Sequence, residues 1–377
     1  TRNVCFENDN QAPLKPTGSR VSEIASDGIN AAVPPSDSTY TLTLRNVSAT
    51  LTTPCAQESV CNKEPCKAGW IKRFGFAAVN GEGITCLSKS RNGTLMSVGY
   101  RRDSIVLISS TAEGDILWMR TIRTGRSVVI TDALEDTEGN WLLSGYFTQN
   151  NLSYGIFLKY NAGLHVVMWC KTSAVSGRIE QVIDRGSGLP YIVHSTVRRT
   201  SATTGSPVSV SFIFEADRNQ GTPGGGVFNW SPASSSEGSF TKLIWHKDAL
   251  WAAGNFSGNN YVVMRWNANG KVDIVRRLEQ PVQDFCIAQD TLSILCPDPF
   301  LGGRFNLYKM TLEGQQTLSK LYTFWLDKQA KTYRQIEIIE GGDVLITADY
   351  RPNNSVTTSL YLIRIGRNGA VRWSKKM

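Results

Sequence analysis

Short apolar runs alternate with polar turns along most of the chain, and from about residue 81 onward they recur in one order. Each unit has a first strand, a polar turn, an apolar strand ending in an aromatic residue, another apolar strand, a glycine turn and a last strand that often carries tryptophan. The first unit contains Asn92–Tyr100, Ile105–Ile108 and Glu113–Trp118. Alternating runs of this length, separated by Gly and Asn turns, predict four β-strands per unit.

The glycine of the last turn gives the period of the repeat. The aligned glycines are Gly114, Gly163, Gly270, Gly314 and Gly369, with one further unit between Gly163 and Gly270. The 255 residues from the first to the last therefore span five steps of about 51 residues each. Four short strands in about 50 residues are typical of one blade of a β-propeller. We therefore expect an all-β chain folded as a six-bladed β-propeller, with a diverged third unit.

The repeated pattern is G-x-h-h-h-x-G-Y, then h-h-h-h-K-h, then G-x-h-x-W, where h stands for an apolar residue. It resembles the extracellular propeller repeats of the delta-60 and SBBP-type families. The resemblance covers roughly residues 70–377. It implies the propeller fold. It implies no single activity, because a fold shared by many proteins does not determine their chemistry.

Residues 1–68 lie outside the repeat and read as an extended amino-terminal arm with a Cys-rich segment, which leaves 69–377 as the propeller. Within the arm, Tyr40–Leu51 alternates like a strand, and Gly69–Gly75 resembles the last strand of a blade. Three arrangements stay open. The two segments form a partial seventh blade, the arm folds back on its own propeller through Cys5, or the arm and an edge strand pair with another molecule.

Eight cysteines favour disulfides over zinc, because only three histidines are present and none lies near a cysteine cluster. They are Cys5, Cys55, Cys61, Cys66, Cys86, Cys170, Cys286 and Cys296. Cys286 and Cys296 flank one predicted hairpin turn, so we favour a bridge between them and leave the other pairings open.

Six Asn-x-Ser/Thr triplets predict N-linked glycans on a secreted protein. The acceptor residues are Asn46, Asn92, Asn151, Asn229, Asn255 and Asn353. Together with the cysteines, they indicate an extracellular protein.

The net charge is +8, from 40 Lys and Arg against 32 Asp and Glu. These basic residues are scattered along the sequence, so we expect no nucleic-acid partner, and any attraction to acidic polysaccharide is expected of the whole surface. No apolar run approaches the ~18 residues of a membrane helix, so no membrane span is expected.

The chain carries none of the common catalytic, phosphate-binding or calcium-binding motifs, so we predict no catalytic, cofactor or metal site. His194 ends an apolar strand, and we interpret it as a hydrogen-bonded core histidine. The recurrence of one tryptophan per unit predicts that these side chains pack between blades.

The sequence thus favours a non-enzymatic, secreted structural or adhesive glycoprotein that self-associates, as a filament subunit, through the arm or edge strands. The first alternative is a monomeric propeller that binds carbohydrate or protein, and the second is a propeller glycoside hydrolase.

Overall fold

The computed structural model describes residues 39–44, 47–52, 82–201, 205, 207–224, 226, 228, 237–288, 290–298, 303–324, 331–350 and 359–376. Those residues form an all-β chain, as predicted, whose helical content is one 3₁₀ turn at Glu340–Gly342. The chain divides into two compact units, Thr1–Thr172 and Ser173–Met377.

The first unit contains a hairpin and two four-stranded antiparallel sheets of consecutive strands. Its strands are β1 Thr39–Leu44, β2 Val47–Thr52, β3 Glu82–Lys89, β4 Leu95–Arg101, β5 Ser104–Ser110, β6 Ile116–Arg123, β7 Val128–Glu135, β8 Asn140–Gln149, β9 Leu152–Asn161 and β10 Val166–Ser176. The first sheet is β3–β6, and the second is β7–β10. The predicted single strand Tyr40–Leu51 is instead the pair β1 and β2, in which Leu44 faces Val47.

The second unit contains one large sheet and two further four-stranded sheets, β19–β22 and β23–β26. Its strands are β11 Arg178–Ile183, β12 Tyr191–Thr200, β13 Pro207–Ala216, β14 Pro223–Gly224, β15 Gly238–His246, β16 Ala249–Phe256, β17 Asn260–Trp266, β18 Val272–Leu278, β19 Asp284–Ala288, β20 Thr291–Pro297, β21 Arg304–Thr311, β22 Gln316–Thr323, β23 Lys331–Ile338, β24 Val344–Tyr350, β25 Ser359–Ile365 and β26 Val371–Lys376.

The prediction of six blades is wrong, because the described chain has four separate four-stranded blades of the propeller type. The third and fourth sequence units run together into one eight-stranded sheet. The cause is the diverged third unit, whose fourth strand is reduced to the two-residue β14. The edge of β13 is then open, and the start of β15 joins it through a parallel pairing of Val210 with Gly238.

The last hairpin of three of the four blades closes through one kind of turn, which fixes the position of the repeated glycine. In the first blade, the Thr111 amide donates to the Asp115 carbonyl, and the Gly114 amide donates to the Thr111 carbonyl. Gly114, Gly314 and Gly369 all have a positive φ near 80°, a conformation that glycine adopts without steric cost. In the blade β7–β10 the left-handed residue is His165, at φ 56°, rather than the predicted Gly163.

A β-bulge interrupts the first strand of five sequence units and explains the glycine before the repeated tyrosine. The extra residues lie between Ile84 and Cys86, Ile130 and Asp132, Ile179 and Gln181, Phe240 and Lys242, and Tyr333 and Gln335. The bulge pushes a carbonyl toward the second strand, so a Cβ on Gly145 would stand 2.0 Å from the Val129 oxygen. In the same way, a Cβ on Gly99 would stand 2.1 Å from the Gly83 carbonyl oxygen. Only glycine leaves room for this approach.

At three junctions, a side chain of the first strand bonds to the first strand of the next repeat. Gln181 donates from Nε2 to the Leu243 carbonyl at 3.0 Å and accepts from the Leu243 amide at 2.8 Å. Asp284, at the same position two repeats later, accepts from the Ile336 amide at 2.9 Å. The Cys86 sulfur lies against the Ala133 amide in the first unit. These bonds tie successive first strands together along the chain.

One junction uses a different arrangement, because its side chain is a lysine. Lys242 has no acceptor, so it cannot bond to the Phe285 amide in the manner of Gln181. Asp284 instead accepts from its own neighbour Phe285 at 2.8 Å, while Lys242 Nζ lies 3.3 Å from Asp284 Oδ1. Glu337 lies 3.9 Å from Lys242 Nζ and completes a charged group of one cation and two carboxylates.

Apolar residues fill the space between successive sheets within each unit. One core in the first unit joins the two blades and includes Val98, Leu107, Leu143 and Leu158. In the second unit, the two faces of β19–β22 enter different cores. A blade therefore buries both faces, which accounts for runs such as the fully buried β5.

We predict that Gly145→Ala destabilises the protein by about 1–3 kcal/mol, because the new methyl group meets backbone atoms that cannot move independently. Gly163→Ala is the matched control in the same blade, since its Cβ meets only the Asn161 side chain at 3.4 Å. Urea denaturation of both variants measures the difference. Equal unfolding midpoints would show that the bulge does not require glycine.

We also predict that Asp284→Asn lowers stability by about 1–3 kcal/mol, because an amide cannot accept at both positions that the carboxylate serves. The control is Glu337→Gln in the same charged group. Its side chain is 61% exposed, so its loss should change stability by less than about 0.5 kcal/mol. A thermal melt in which the two variants shift equally would contradict the structural role of Asp284.

Candidate functional site

The fourth strands of the repeats are open sheet edges, and we call β6, β10, β18, β22 and β26 the outer strands. Each outer strand pairs on one side with the third strand of its own repeat, and the described residues supply no strand on its other side. An edge of this kind presents unpaired backbone donors and acceptors and is a natural place for a partner.

Exposed apolar side chains recur on these outer strands. Each of the four separate blades exposes one large aliphatic side chain there to about half of its surface. They are Leu117, Met168, Leu321 and Val371. Exposed aliphatic residues are common singly, but their occurrence on the outer strand of each of these blades favours the outer strands as a contact surface.

Charge is also unevenly distributed between the outer strands and the first strands. The outer strands hold nine basic residues and one acidic residue: Arg120, Arg123, Lys171, Arg276, Arg277, Lys320, Arg372, Lys375 and Lys376, against Asp273. The first strands β3, β7, β11, β15, β19 and β23 hold five basic and six acidic residues: Lys89, Arg178, Lys242, Lys331 and Arg334, against Glu82, Asp132, Glu135, Glu180, Asp284 and Glu337. The outer strands therefore carry an excess of positive charge, whereas the charges of the first strands nearly balance.

The strongest local concentration lies where β22 meets the last turn of the blade β23–β26. Lys320 Nζ donates to the Gly369 carbonyl at 2.9 Å, and Lys309 Nζ donates to the Arg367 carbonyl at 3.0 Å. Two lysines of one blade thus bind the same turn of the next. Burial lowers the pKa of Lys309, the nearby Asp343 carboxylate acts in the opposite direction, and the positive charge of Arg367 lowers it further. Cations are crowded around this turn.

The first-strand group of Lys242, Asp284 and Glu337 has a different character, because its charges compensate one another. Burial raises the pKa values of Asp284 and Glu337, while the Lys242 ammonium acts in the opposite direction on both. Lys242 is only a quarter exposed. This group connects three sequence repeats. Because its cation and carboxylates pair with one another, little uncompensated charge is available to bind a ligand.

Three of the predicted glycan acceptors lie within the described residues. Asn92 is exposed in the β3–β4 turn, and Asn151 is exposed in the two-residue turn between β8 and β9. Asn255 differs, because it is half-buried on β16 and its amide both donates to and accepts from the backbone of Val282, at 2.8 and 2.7 Å. Asn46, Asn229 and Asn353 lie outside the described residues.

The favoured bridge between Cys286 and Cys296 is wrong, since both are free thiols. Cys286 faces Ser293 across the hairpin and enters the core toward β23–β26, whereas Cys296 enters the core toward β15–β18. The alternation of side chains along a strand places them on opposite faces of the sheet. Burial raises the pKa of Cys286 to about 12.

The remaining cysteines fall into two groups. Cys86 is a free thiol on β3, and burial raises its pKa to about 12. Cys170 on β10 packs against the same core. Cys5, Cys55, Cys61 and Cys66 lie outside the described residues, so their disulfides stay a prediction.

The interpretation of His194 as a core histidine is confirmed. Its side chain is buried, its Nε2 lies 2.9 Å from the Ser211 hydroxyl, and burial lowers its pKa to about 4. Trp141, Trp251 and Trp266 are likewise buried between sheets. These residues stabilise the cores and are not exposed for chemistry.

Two features of the described residues bear on the predicted absence of metals and membrane spans. Among them, no three His, Cys, Asp or Glu side chains are grouped closely enough to hold a metal ion. No helix in the described part of the chain has the length and apolar character to cross a membrane.

No protein-family model and no curated protein matches the chain. Solved structures that resemble it include Sqt1 of Saccharomyces cerevisiae, at 10% identity and a TM-score of 0.46 over 78% of this chain and 85% of that one. Another is a subtype N10 neuraminidase-like protein of A/little yellow-shouldered bat/Guatemala, at 12% identity and a TM-score of 0.43 over 73% and 96%. BamB of Moraxella catarrhalis has 9% identity and a TM-score of 0.39 over 73% and 84%. At these values the likeness assigns no function to the chain.

Proposed function

We propose that the protein is a non-enzymatic, secreted structural glycoprotein that self-associates head to tail through the hairpin β1–β2. The observation that supports this proposal is a hairpin with open edges and no charged residue in either strand. The amino-terminal arm was one of the two candidate elements for assembly, and this hairpin is the part of the arm that the structure describes.

The hairpin needs a further partner to be stable. Its two strands pair with each other over six residue pairs and with no other described strand. A two-stranded hairpin alone is marginally stable in water, and a third strand or a packed face is needed to hold it. A second copy of the chain supplies such a strand at any of its sheet edges.

Charge distinguishes this hairpin from the other open edges. Every outer strand carries at least one lysine or arginine, so two outer strands placed side by side repel each other. The sequences Thr39–Leu44 and Val47–Thr52 contain no charge, no proline and no glycine, and are rich in threonine and aliphatic residues. Such segments add readily to an existing sheet edge.

A hairpin that adds to a different surface of the next copy makes a heterologous contact. Contacts of this kind repeat in one direction and form an open filament unless their rotation closes a ring. The proposal therefore accounts for a structural role without a reaction. Turnover of a glycoside or ester substrate by the pure protein would overturn its non-enzymatic part.

We expect Thr41→Lys/Thr50→Lys to prevent assembly, because these two residues face each other across the hairpin and lysine on an edge blocks strand addition. Analytical ultracentrifugation and negative-stain electron microscopy measure the size of the particles. The unaltered chain should form oligomers that grow with concentration, while the variant should remain monomeric.

The control for that experiment adds the same charge elsewhere, as Thr148→Lys/Gln220→Lys at two exposed positions outside the hairpin and the outer strands. It should assemble like the unaltered chain. Monomers of the unaltered chain at high concentration, or assembly of the hairpin variant, would refute self-association through β1–β2.

For the glycoprotein part, we expect N-glycans at Asn92 and Asn151 and none at Asn255 after secretion from eukaryotic cells. The first two side chains are exposed in turns, whereas the Asn255 amide is held by Val282. Mass spectrometry of peptides before and after enzymatic deglycosylation tests this. Occupied Asn255 with empty Asn92 and Asn151 would contradict the expectation.

A further inference from the structure

We propose that the cations around the last turn of the blade β23–β26 form a binding surface for an acidic polysaccharide. We call Lys320, Arg367, Arg372 and Lys375 the basic cluster. This inference goes beyond self-association and does not depend on it, since none of these residues belongs to the hairpin β1–β2.

The bond from Lys320 to the Gly369 carbonyl brings Lys320 of one blade to the turn of the next blade that carries Arg367. Tyr322 on the same strand also donates to the Gly369 carbonyl, at 2.7 Å, and is buried by the contact. Arg367 lies in the turn itself, and Arg372 and Lys375 follow on β26. The Arg372 guanidinium lies beside Gly366 of the turn, so Lys320, Arg367 and Arg372 surround the turn and Lys375 continues the row along β26.

One local carboxylate, Asp343, offsets part of the charge of the basic cluster, because it interacts electrostatically with Arg372 as well as with Arg364. Asp343 is the carboxylate nearest to the turn, and it accepts from Arg364 at 2.7 Å and from the Arg367 amide at 3.1 Å. Lys375 and Arg367 have no ion-pair partner among the described residues. Positive charge without a local counter-charge attracts a polyanion and loses that attraction as salt rises.

Apolar and aromatic groups lie among these cations. Leu321 is 51% exposed beside Lys320, and Val371 is 45% exposed beside Arg372. Trp373 lies between Arg372 and Lys375 and is half-buried. Sugar rings present apolar C–H faces that pack on such side chains, while their sulfate or carboxylate groups bind cations.

The arrangement favours a polysaccharide over an acidic peptide. A peptide that added to the edge of β26 would meet charges spaced along one strand. The basic cluster instead crosses from β22 over a turn to β26. A stiff chain with an anionic group on each sugar meets such a row of cations without needing the backbone ladder of a sheet.

The test uses the full chain and its variant Arg367→Gln/Arg372→Gln/Lys375→Gln, which removes three positive charges and keeps the Lys320 bond to Gly369. Binding to polygalacturonate, dextran sulfate, poly-glutamate and neutral dextran is measured by isothermal titration calorimetry at about 50 and 200 mM salt. The unaltered chain should bind at least one of the two acidic polymers, more weakly at higher salt, and should not bind dextran. The variant should bind about tenfold more weakly.

The matched control, Lys89→Gln/Arg102→Gln/Arg198→Gln, removes three exposed cations that lie on no outer strand. It should keep the affinity of the unaltered chain to within about twofold. Equal losses in both variants would show a net-charge effect and overturn the proposal. Equal binding by neutral dextran, or tighter binding of poly-glutamate than of either acidic polysaccharide, would overturn it as well.

Discussion

The hydrogen bonds that connect each first strand to the next repeat are the constraint on which the rest of the structure depends. One side chain of the first strand, which follows a bulge in the cases of Gln181 and Cys86, accepts a hydrogen bond from a backbone amide of the neighbouring repeat. Gln181, Asp284 and Cys86 all do this, with three different acceptor groups. The position tolerates chemical variety because the requirement is only an acceptor at the correct place. Lys242 shows the limit, since it cannot accept and the next repeat compensates with Asp284.

Because of these bonds, the first strand and the fourth strand of a blade have different surroundings. Within each unit, successive first strands lie against one another, and in the second unit charges compensate locally in the group of Lys242, Asp284 and Glu337. The fourth strands lie at the opposite edges, pair on one side only, and carry nine of the basic residues. Both proposals concern chain segments that the blades leave unpaired. The neutral hairpin β1–β2 suits pairing with another sheet, and the basic outer strands suit an anionic partner.

The repeat was visible in the sequence because its turns need particular residues. Gly114, Gly314 and Gly369 mark hairpins that require a left-handed residue, and Gly99 and Gly145 mark the second strand beside a bulge. The burial of His194 also followed from its place at the end of an apolar run. The basic outer strands were present in the sequence as segments such as Val371–Lys375, where a tryptophan is flanked by arginine and lysine. Their significance was missed because charges scattered along a chain give no sign of which strand lies at an edge.

The sequence by itself determined the strands, the turns and the all-β class, because these depend on the alternation of side chains and on the φ angles that single residues allow. Only the tertiary structure decided how many separate blades there are, since the short β14 opens an edge that β15 joins through Val210 and Gly238. It also decided that Cys286 and Cys296 lie on opposite faces of one sheet, because the register that sets their faces comes from strand pairing and not from distance along the chain. The meeting of Lys320 with the turn at Gly369 has the same origin, because residues far apart in the sequence become neighbours when blades of one unit pack.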